Sequence, residues 1–567
     1  MRNLRWQILI AIGGLILVIG LLAGQSPSTT VTQDQPIIGG AHTEGLVGEI
    51  IRLNPILDSY NQVDRDIDAL IYSGLIRFDA RGNPVPDLAE GWAISADASL
   101  YTITLRDDAT WHDGTTVSAD DVIYTYSKLQ DEDYPGPQDL HELWQQVTII
   151  RLDDRRVQFQ LPESFSPFLD YLTTGLLPDH LLRGVTAGEL INHPFNLEPV
   201  GTGPFQLAGF IIEEDQVIGV SLIAFDDFYG QRPFLERVDF RFFPTAGAAY
   251  EAFQDGEILA IGTVDEEILH QALEDVSLNV HTARLPQIGL VFLNLQHPEK
   301  TFLADKLLRR ALLMAINRDW LIQYALGGQG VIPIGPFMPG TWAYAEGLNA
   351  YPFDPIEAAR LLESLAWELP TGAAPGTSEY VRSKDEQLLA LELAYSNEPI
   401  QARIAKEIQK YWEDIGIQVS LVSSDDQALL DDYLIPREYE AVLSELNLGR
   451  YPDPDPYPLW HDSQTETGQN YAGFDDRNSS IWLEQARTNP DPGRRTELYR
   501  SFQFRFQDQI PALMLYYPTY SYAIDIQMQG VSIGPLLDPS DRYRSVTAWH
   551  ILARRGVPIN TTATAEP

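Results

Sequence analysis

Apolar and polar positions alternate with two different periods along this chain, and the switches between them mark out its elements. Tyr101, Ile103 and Leu105 alternate with Thr102 and Thr104, which predicts a half-buried strand. Ser118-Ala119-Asp120-Asp121 then reads as a capping box opening a helix with Val122, Tyr126 and Leu129 on one face. Strand, turn and capped helix together make an α/β unit. Upstream, the apolar run 50–60 is broken by Asn54-Pro55, and Leu70, Ile71, Leu75 and Ile76 predict a buried helix over 67–78 that ends near Gly74. Pro86 to Trp92 reads as a turn, a short helix and an aromatic plug. Alternating or continuous apolar runs predict strands at 157–161, 220–225, 238–243, 290–295, 417–421, 439–446 and 510–517. Helical spacing recurs at 307–316, 358–365, 400–415 and 494–506, with Gly416 closing the third of these. Gly201 and Gly203 lack a lysine at P-loop spacing, and Pro204 removes a donor, so they predict a tight backbone crossing.

One stretch breaks the periodicity. From Gly449 to Gln464 the chain reads GRYPDPDPYPLWHDSQ, and its four prolines predict a stiff extended loop. Asp453, Asp455, Asp462 and Arg450 share that backbone with Tyr451, Tyr457 and Trp460. Flat apolar faces with a few fixed polar groups are what ligand pockets are lined with. A surface loop whose aromatics pack back onto the fold is the other reading of the same composition.

Length changes the picture first: 567 residues exceed the roughly 250 to 300 that one core serves, so two or three domains are expected. Charge changes it next. With 80 acids against 39 bases the net charge is −41, which excludes nucleic acid as a partner of the folded body. The absence of cysteine excludes disulfides, thiolate catalysis, cysteine zinc sites and a lipid on an N-terminal cysteine. The ten histidines form no HExxH pair, and neither a GxSxG elbow nor a P-loop is present, so no metal or cofactor is expected. Trp111, Trp342, Trp412 and Trp460 are read as core more than as ligand platforms. Arg2 and Arg5 ahead of the apolar run 8–23, with the polar stretch 25–35 behind it, have the order of an export signal or an uncleaved membrane anchor.

Several segments resemble, in order, the solute-binding proteins of ABC importers, in the large peptide-binding family that also includes nickel, oligosaccharide and opine binders. They are Asn54-Pro55 with Gly74-Leu75, PDLAEGW at Pro86 to Trp92, YTITLRDDATWHDG at Tyr101 to Gly114, SADDV at Ser118 to Val122, and GTGPF at Gly201 to Phe205. LLRRALLMAINR at Leu307 to Arg318, DIGIQV at Asp414 to Val419 and YPDPDPYPLW at Tyr451 to Trp460 follow. The resemblance implies an α/β, two-lobed periplasmic-binding-protein-like fold (type II, cluster C) with an extra domain in the first lobe, closing on ligand by hinge motion. Its expected divisions are 1–24 as signal or anchor, 25–40 as polar linker, 41–66 with 196–284 and 516–556 as the first lobe, and 67–195 as the extra domain. The second lobe is expected at 285–515 and a disordered tail at 557–567.

It also implies a monomeric, extracytoplasmic binding protein without cofactor or catalytic residues, whose partners are a peptide or other small polar solute, an ABC permease and, through the N-terminal segment, the membrane. An extracellular hydrolase using paired carboxylates such as Asp453 and Asp455, and a ligand-sensing subunit of the same fold, are the alternatives. The ligand-binding residues expected from the resemblance are Asn54, Tyr60, Asn294, Asn447, Leu448, Gly449, Arg450, Tyr451, Asp453 and Tyr471. One departs from the family's pattern: Arg450 stands where peptide binders carry an aspartate that pairs with the peptide amino group, and Asn447 replaces a tryptophan often found before it. A guanidinium repels an ammonium and favours a carboxylate or phosphate, unless it faces solvent or pairs with Asp453.

Overall fold

One long strand, Ala512–Asp525, belongs to two halves of the same sheet. The computed structural model describes residues 31–448 and 452–557, and within them the main mixed sheet has 12 strands. On one side of the long strand lie Gln287–Leu293, Ala441–Asn447, Ala390–Ser396 and Gln418–Ser424; on the other lie Ala260–Ile261, Ala41–Val47, Arg237–Phe243, Gln216–Ala224 and Phe205–Glu213. Residues Ala512 to Tyr516 pair antiparallel with Gln287–Leu293, and Thr519 to Asp525 pair antiparallel with Leu278–Arg284. Between these ladders the Leu285 N–H donates to the Pro518 carbonyl at 3.1 Å. The chain thus crosses from one lobe to the other twice, at 285–286 and at 517–518, side by side.

Two bodies of core flank the crossing. On the first side a large cluster gathers residues from 46 to 285 and from 520 to 551, and a smaller one residues from 246 to 280 with Ala523; on the second side two clusters are drawn from residues 288 to 517. A separate four-stranded antiparallel sheet, Ala89–Ile94, Leu100–Leu105, Arg156–Gln160 and Thr148–Arg151, shares the first of these cores. The helix Ala119–Leu129 covers it and starts where the capping box placed it, with the Ser118 N–H donating to Asp121 Oδ2 at 2.8 Å. Gly201 and Gly203 mark a backbone crossing: the Gly203 N–H donates to the Ile71 carbonyl at 2.7 Å, and a Cβ on Gly201 would stand 2.0 Å from that oxygen.

The structure departs from the sequence pattern in four places. Residues 89–94 form a strand instead of a short helix, because Trp92 finds Ile103 directly across the ladder and that cross-strand pair overrides the local helical signal. The helix expected over 67–78 is Gln62–Ile71, started by Asn61, whose side chain accepts from the Val63 N–H, and Ile76–Phe78 is a strand. Within the expected polar linker, Val31–Pro36 is a strand paired antiparallel with His550–Val557. The prolines of the loop do not keep it extended throughout: Tyr457–Trp460 is a helical turn with Pro458 in its first turn, where no intrahelical N–H is required. Residues 1–30 and 558–567, and with them the expected signal or anchor and most of the tail, lie outside the described residues. Among the described residues no helix is long and apolar enough to cross a membrane.

The first core closes around a charged centre. Arg542 donates to Glu44 from Nε and Nη2 at 3.0 and 2.7 Å, and bidentately to Asp66 at 2.9 and 2.7 Å, with all three residues buried. Tyr543 and Tyr522 donate to the two oxygens of Glu44 at 2.7 and 3.0 Å. Burial pushes the Glu44 carboxyl up, but Arg542, His42 and Tyr543 outweigh it and hold it at about 2. These contacts join the central strand Ala41–Val47, the helix Gln62–Ile71 and the turn Pro539–Ala548, three segments far apart in sequence.

Gly289 lies where the long strand and its neighbour shift register, and a Cβ there would meet the Tyr516 ring at 2.1 Å. Tyr516 is fully buried, donates to Glu445 Oε2 at 3.1 Å and accepts from Gln401 Nε2 at 3.0 Å. Gly289→Ala is expected to lower stability by about 1–3 kcal/mol through overpacking, read as a lower urea midpoint with unchanged slope. An unchanged midpoint would show that the ring moves aside freely.

Candidate ligand-binding site

The strand Ala441–Asn447 runs antiparallel to Gln287–Leu293 and delivers the chain to the lobe crossing. There Asn447 is opposite Gln287, and the Leu448 N–H donates to the Pro286 carbonyl at 2.6 Å. Gly449, Arg450 and Tyr451 lie outside the described residues. Where description resumes, at Pro452, the chain touches the first lobe: a Cβ on Gly82 would stand 2.8 Å from the Pro452 Cβ, and the Asp453 N–H donates to Asp170 Oδ2 at 2.7 Å. Beside them the Trp342 N–H donates to the Arg81 carbonyl at 3.1 Å. The described ends of the segment are therefore tied to the crossing on one side and to the facing lobe on the other.

Asp453 is buried and its carboxylate is engaged from within the second lobe. It forms an ion pair with Arg495, whose side chain is 8% exposed against 4% for the aspartate, and it accepts from Tyr499 Oη at 3.1 Å. Arg495 is itself held by donating from Nε to the Ala486 carbonyl at 2.8 Å and by lying over the Trp342 ring at 5.1 Å. Asp453 Oδ1 also accepts from the Asp455 N–H at 3.1 Å, which closes the turn. Asp455 pairs with Arg487 at 3.3 Å, and Arg487 spans the Tyr457 and Phe165 rings at 4.5 and 5.0 Å. Burial pushes the Asp455 carboxyl up to about 6, against the attraction of Arg487. Both aspartates that an acid/base pair would need are thus committed to arginines, so the residues that suggested a hydrolase hold the loop instead.

The remaining expected site residues are divided among several places. Asn54 is fully buried; its Nδ2 donates to Asn196 Oδ1 at 3.0 Å and its Oδ1 accepts from the Ile56 N–H at 3.3 Å, so it organises its own turn. Tyr60, in the same connection, is 76% exposed. Asn447 is exposed and Leu448 half-buried at the crossing. Asn294 follows the opposite end of the strand Gln287–Leu293, roughly 20 Å from Asn447 by the rise of an extended strand. There its Nδ2 donates to the Arg437 carbonyl at 2.9 Å, and Tyr471 stacks edge-on against Phe292 at 5.8 Å under Arg437. The structure therefore puts Asn447 and Leu448 at the crossing, Asp453 against the facing lobe, and Asn294 and Tyr471 in a separate cluster. Of the tryptophans, Trp111, Trp412 and Trp460 are buried, while Trp342 is half-buried under Arg495.

Asp170, Arg487, Arg495 and Tyr499 were not singled out by the sequence pattern. The one signal available was Asp170 itself, a lone carboxylate inside the apolar run 165–177. A two-lobed α/β body joined by paired crossing segments, with the Pro452–Asp455 turn of one lobe bonded to the other, is the architecture of a solute receptor.

The comparisons agree with that class. The model of the bacterial extracellular solute-binding proteins, family 5, matches residues 83–469, and the chain belongs to this family. It is similar to the oligopeptide-binding protein AppA of Bacillus subtilis, 25% identical over 512 residues that cover 89% of this chain and 91% of that one. It is 27% identical to the dipeptide-binding protein of Escherichia coli over 497 residues, 82% of this chain and 87% of that one. Among solved structures, HbpA2 from Haemophilus parasuis superposes with a TM-score of 0.77 at 21% identity, covering 91% of this chain and all of that chain.

Proposed function

We propose that this protein captures a peptide or similar small polar solute between its lobes, outside the cytoplasmic membrane, and passes it to an ABC permease. The N-terminal segment, whether cleaved or kept, directs the folded body to that side. The observation that supports this reading is that one short stretch of chain is tied at Leu448 to the lobe crossing and at Asp453 to the facing lobe. Relatives named for binding oligopeptides and dipeptides support the ligand class. Within that class Arg450 favours a ligand that presents a carboxylate to this position, not an ammonium.

Purified protein mixed with pooled di-, tri- and longer peptides tests the reading. Bound peptides are expected to be recovered intact by native mass spectrometry and to stabilise the protein by about 2.7 kcal/mol at a hundredfold excess over Kd. No stabilisation by any peptide, or recovery of cleaved products, overturns it. In the same assay Arg450→Asp is expected to shift preference away from acidic ligands, and unchanged affinity would remove Arg450 from the pocket.

A further inference from the structure

Where the loop meets the first lobe, the buried Asp170, Asp453 and Arg495 are joined by a partly exposed pair, Asp455 with Arg487. Asp170 comes from the short 3-10 helix Ser166–Leu172, whose Phe168, Leu169 and Leu172 belong to the first core. Asp453 and Asp455 come from the loop of the second lobe, Arg495 and Tyr499 from the helix Pro492–Gln509, and Arg487 from the helix Arg477–Thr488. Tyr101, on the strand Leu100–Leu105, lies near enough for its hydroxyl to feel Arg495, Asp453 and Asp170. Arg495 is taken by Asp453 and Arg487 by Asp455. Asp170, 6% exposed, is the third acid in a place with two bases, and its Oδ2 accepts the Asp453 N–H at 2.7 Å.

We propose that this contact between Asp170 and the Pro452–Asp455 turn is a proton-operated latch between the lobes, closed when Asp170 is a neutral acid and released when it is a carboxylate. The proposal rests on the reading of the two lobes as bodies that close and part, but not on what they bind. An ionised Asp170 would lie buried against the Asp453 carboxylate, with the two local guanidiniums already engaged. A neutral one keeps the carbonyl oxygen that accepts the Asp453 N–H and removes the repulsion. Burial pushes the Asp170 carboxyl well above the usual value of 3.8 and the Asp453 carboxylate adds to this, against the Asp453 amide and Arg495, which pull the other way. Parting the lobes exposes Asp170 to water and returns it to the ordinary range, so opening releases a proton. The sign follows: the latch is fully effective below the ordinary carboxylate value and is lost as pH rises through the elevated one.

The test is small-angle X-ray scattering on the whole ligand-free protein from about pH 5 to about pH 8, for wild type and Asp170→Asn. Wild type is expected to expand reversibly as pH rises, whereas Asp170→Asn, which keeps the acceptor oxygen without the charge, stays compact throughout. A wild-type radius that does not change with pH, or an equal pH response in the variant, overturns the proposal. Should the variant fail to fold, infrared spectra of wild type decide: a protonated-carboxyl band must disappear in step with the expansion, and expansion without it overturns the latch. Because no ligand is used, a failure here is distinct from a failure to bind peptide.

Discussion

Arg542→Leu is expected to cost about 3–5 kcal/mol, because it takes the guanidinium away from two buried carboxylates and leaves only His42, 3.3 Å from Glu44, as a basic group beside them. Glu44 keeps its tyrosine donors but loses both guanidinium contacts, and Asp66 loses a bidentate partner and retains Gln62, which donates at 2.8 Å. Burial already pushes Asp66 upward even with Arg542 present, so it is the carboxyl expected to take up a proton in the variant. Against a total stability of about 5–15 kcal/mol this is a large share, and the first lobe should unfold at much lower urea concentration. Arg542→Lys restores a charge but not the two-pronged geometry, and is expected to fall between wild type and leucine. A leucine variant as stable as wild type would mean that the surrounding aromatic cage, not the ion pairs, holds the three segments together.

The second large effect is at Arg495. Its removal in Arg495→Ala leaves Asp453 buried beside Asp170 and Asp455, and the expected loss is again about 3–5 kcal/mol. If the proposed binding role of this loop holds, the consequence extends to function, because Arg495 anchors Asp453 and Asp453 in turn meets the facing lobe through Asp170. Weaker ligand retention should accompany the lower melting temperature. Arg487→Ala is the internal comparison: its side chain is 32% exposed and its partner Asp455 18%, so its pair should contribute no more than about 1 kcal/mol. Equal losses from the two substitutions would show that burial does not separate the two pairs.

Much of the fold was legible because the elements that matter have strong local signals. The Ser118 box, the helix faces at 307–316 and 400–415 and the alternation at 101–105 are each carried by residues within a few positions of one another. The elements that differed depend on partners far away. The strand 89–94 exists because Ile103 lies opposite Trp92, and the strand at 31–36 because the chain returns to it more than five hundred residues later. The candidate site was half legible for the same reason. The proline-rich loop announces itself, but Asp170 is 283 positions from Asp453, and no periodicity relates two residues that meet only across a lobe contact. Asn294 and Tyr471 were expected around the cleft from the family resemblance alone; in the structure they share one cluster, at the end of the strand opposite Asn447.

The crossing strand has one more consequence, for how such a protein can be rebuilt. Side chains on a strand face alternately to either side, so a single count of residues sets the facing of Leu513 and Leu515 in one core and of Tyr520, Tyr522 and Ile524 in the other. One residue added or removed at Pro518 would exchange the two faces of one half of the strand, setting Ala512 and Met514 against the core that Leu513 and Leu515 fill, while the other half stayed in place. The lobes are consequently not interchangeable cassettes: a chimera joined at this point must preserve parity as well as sequence.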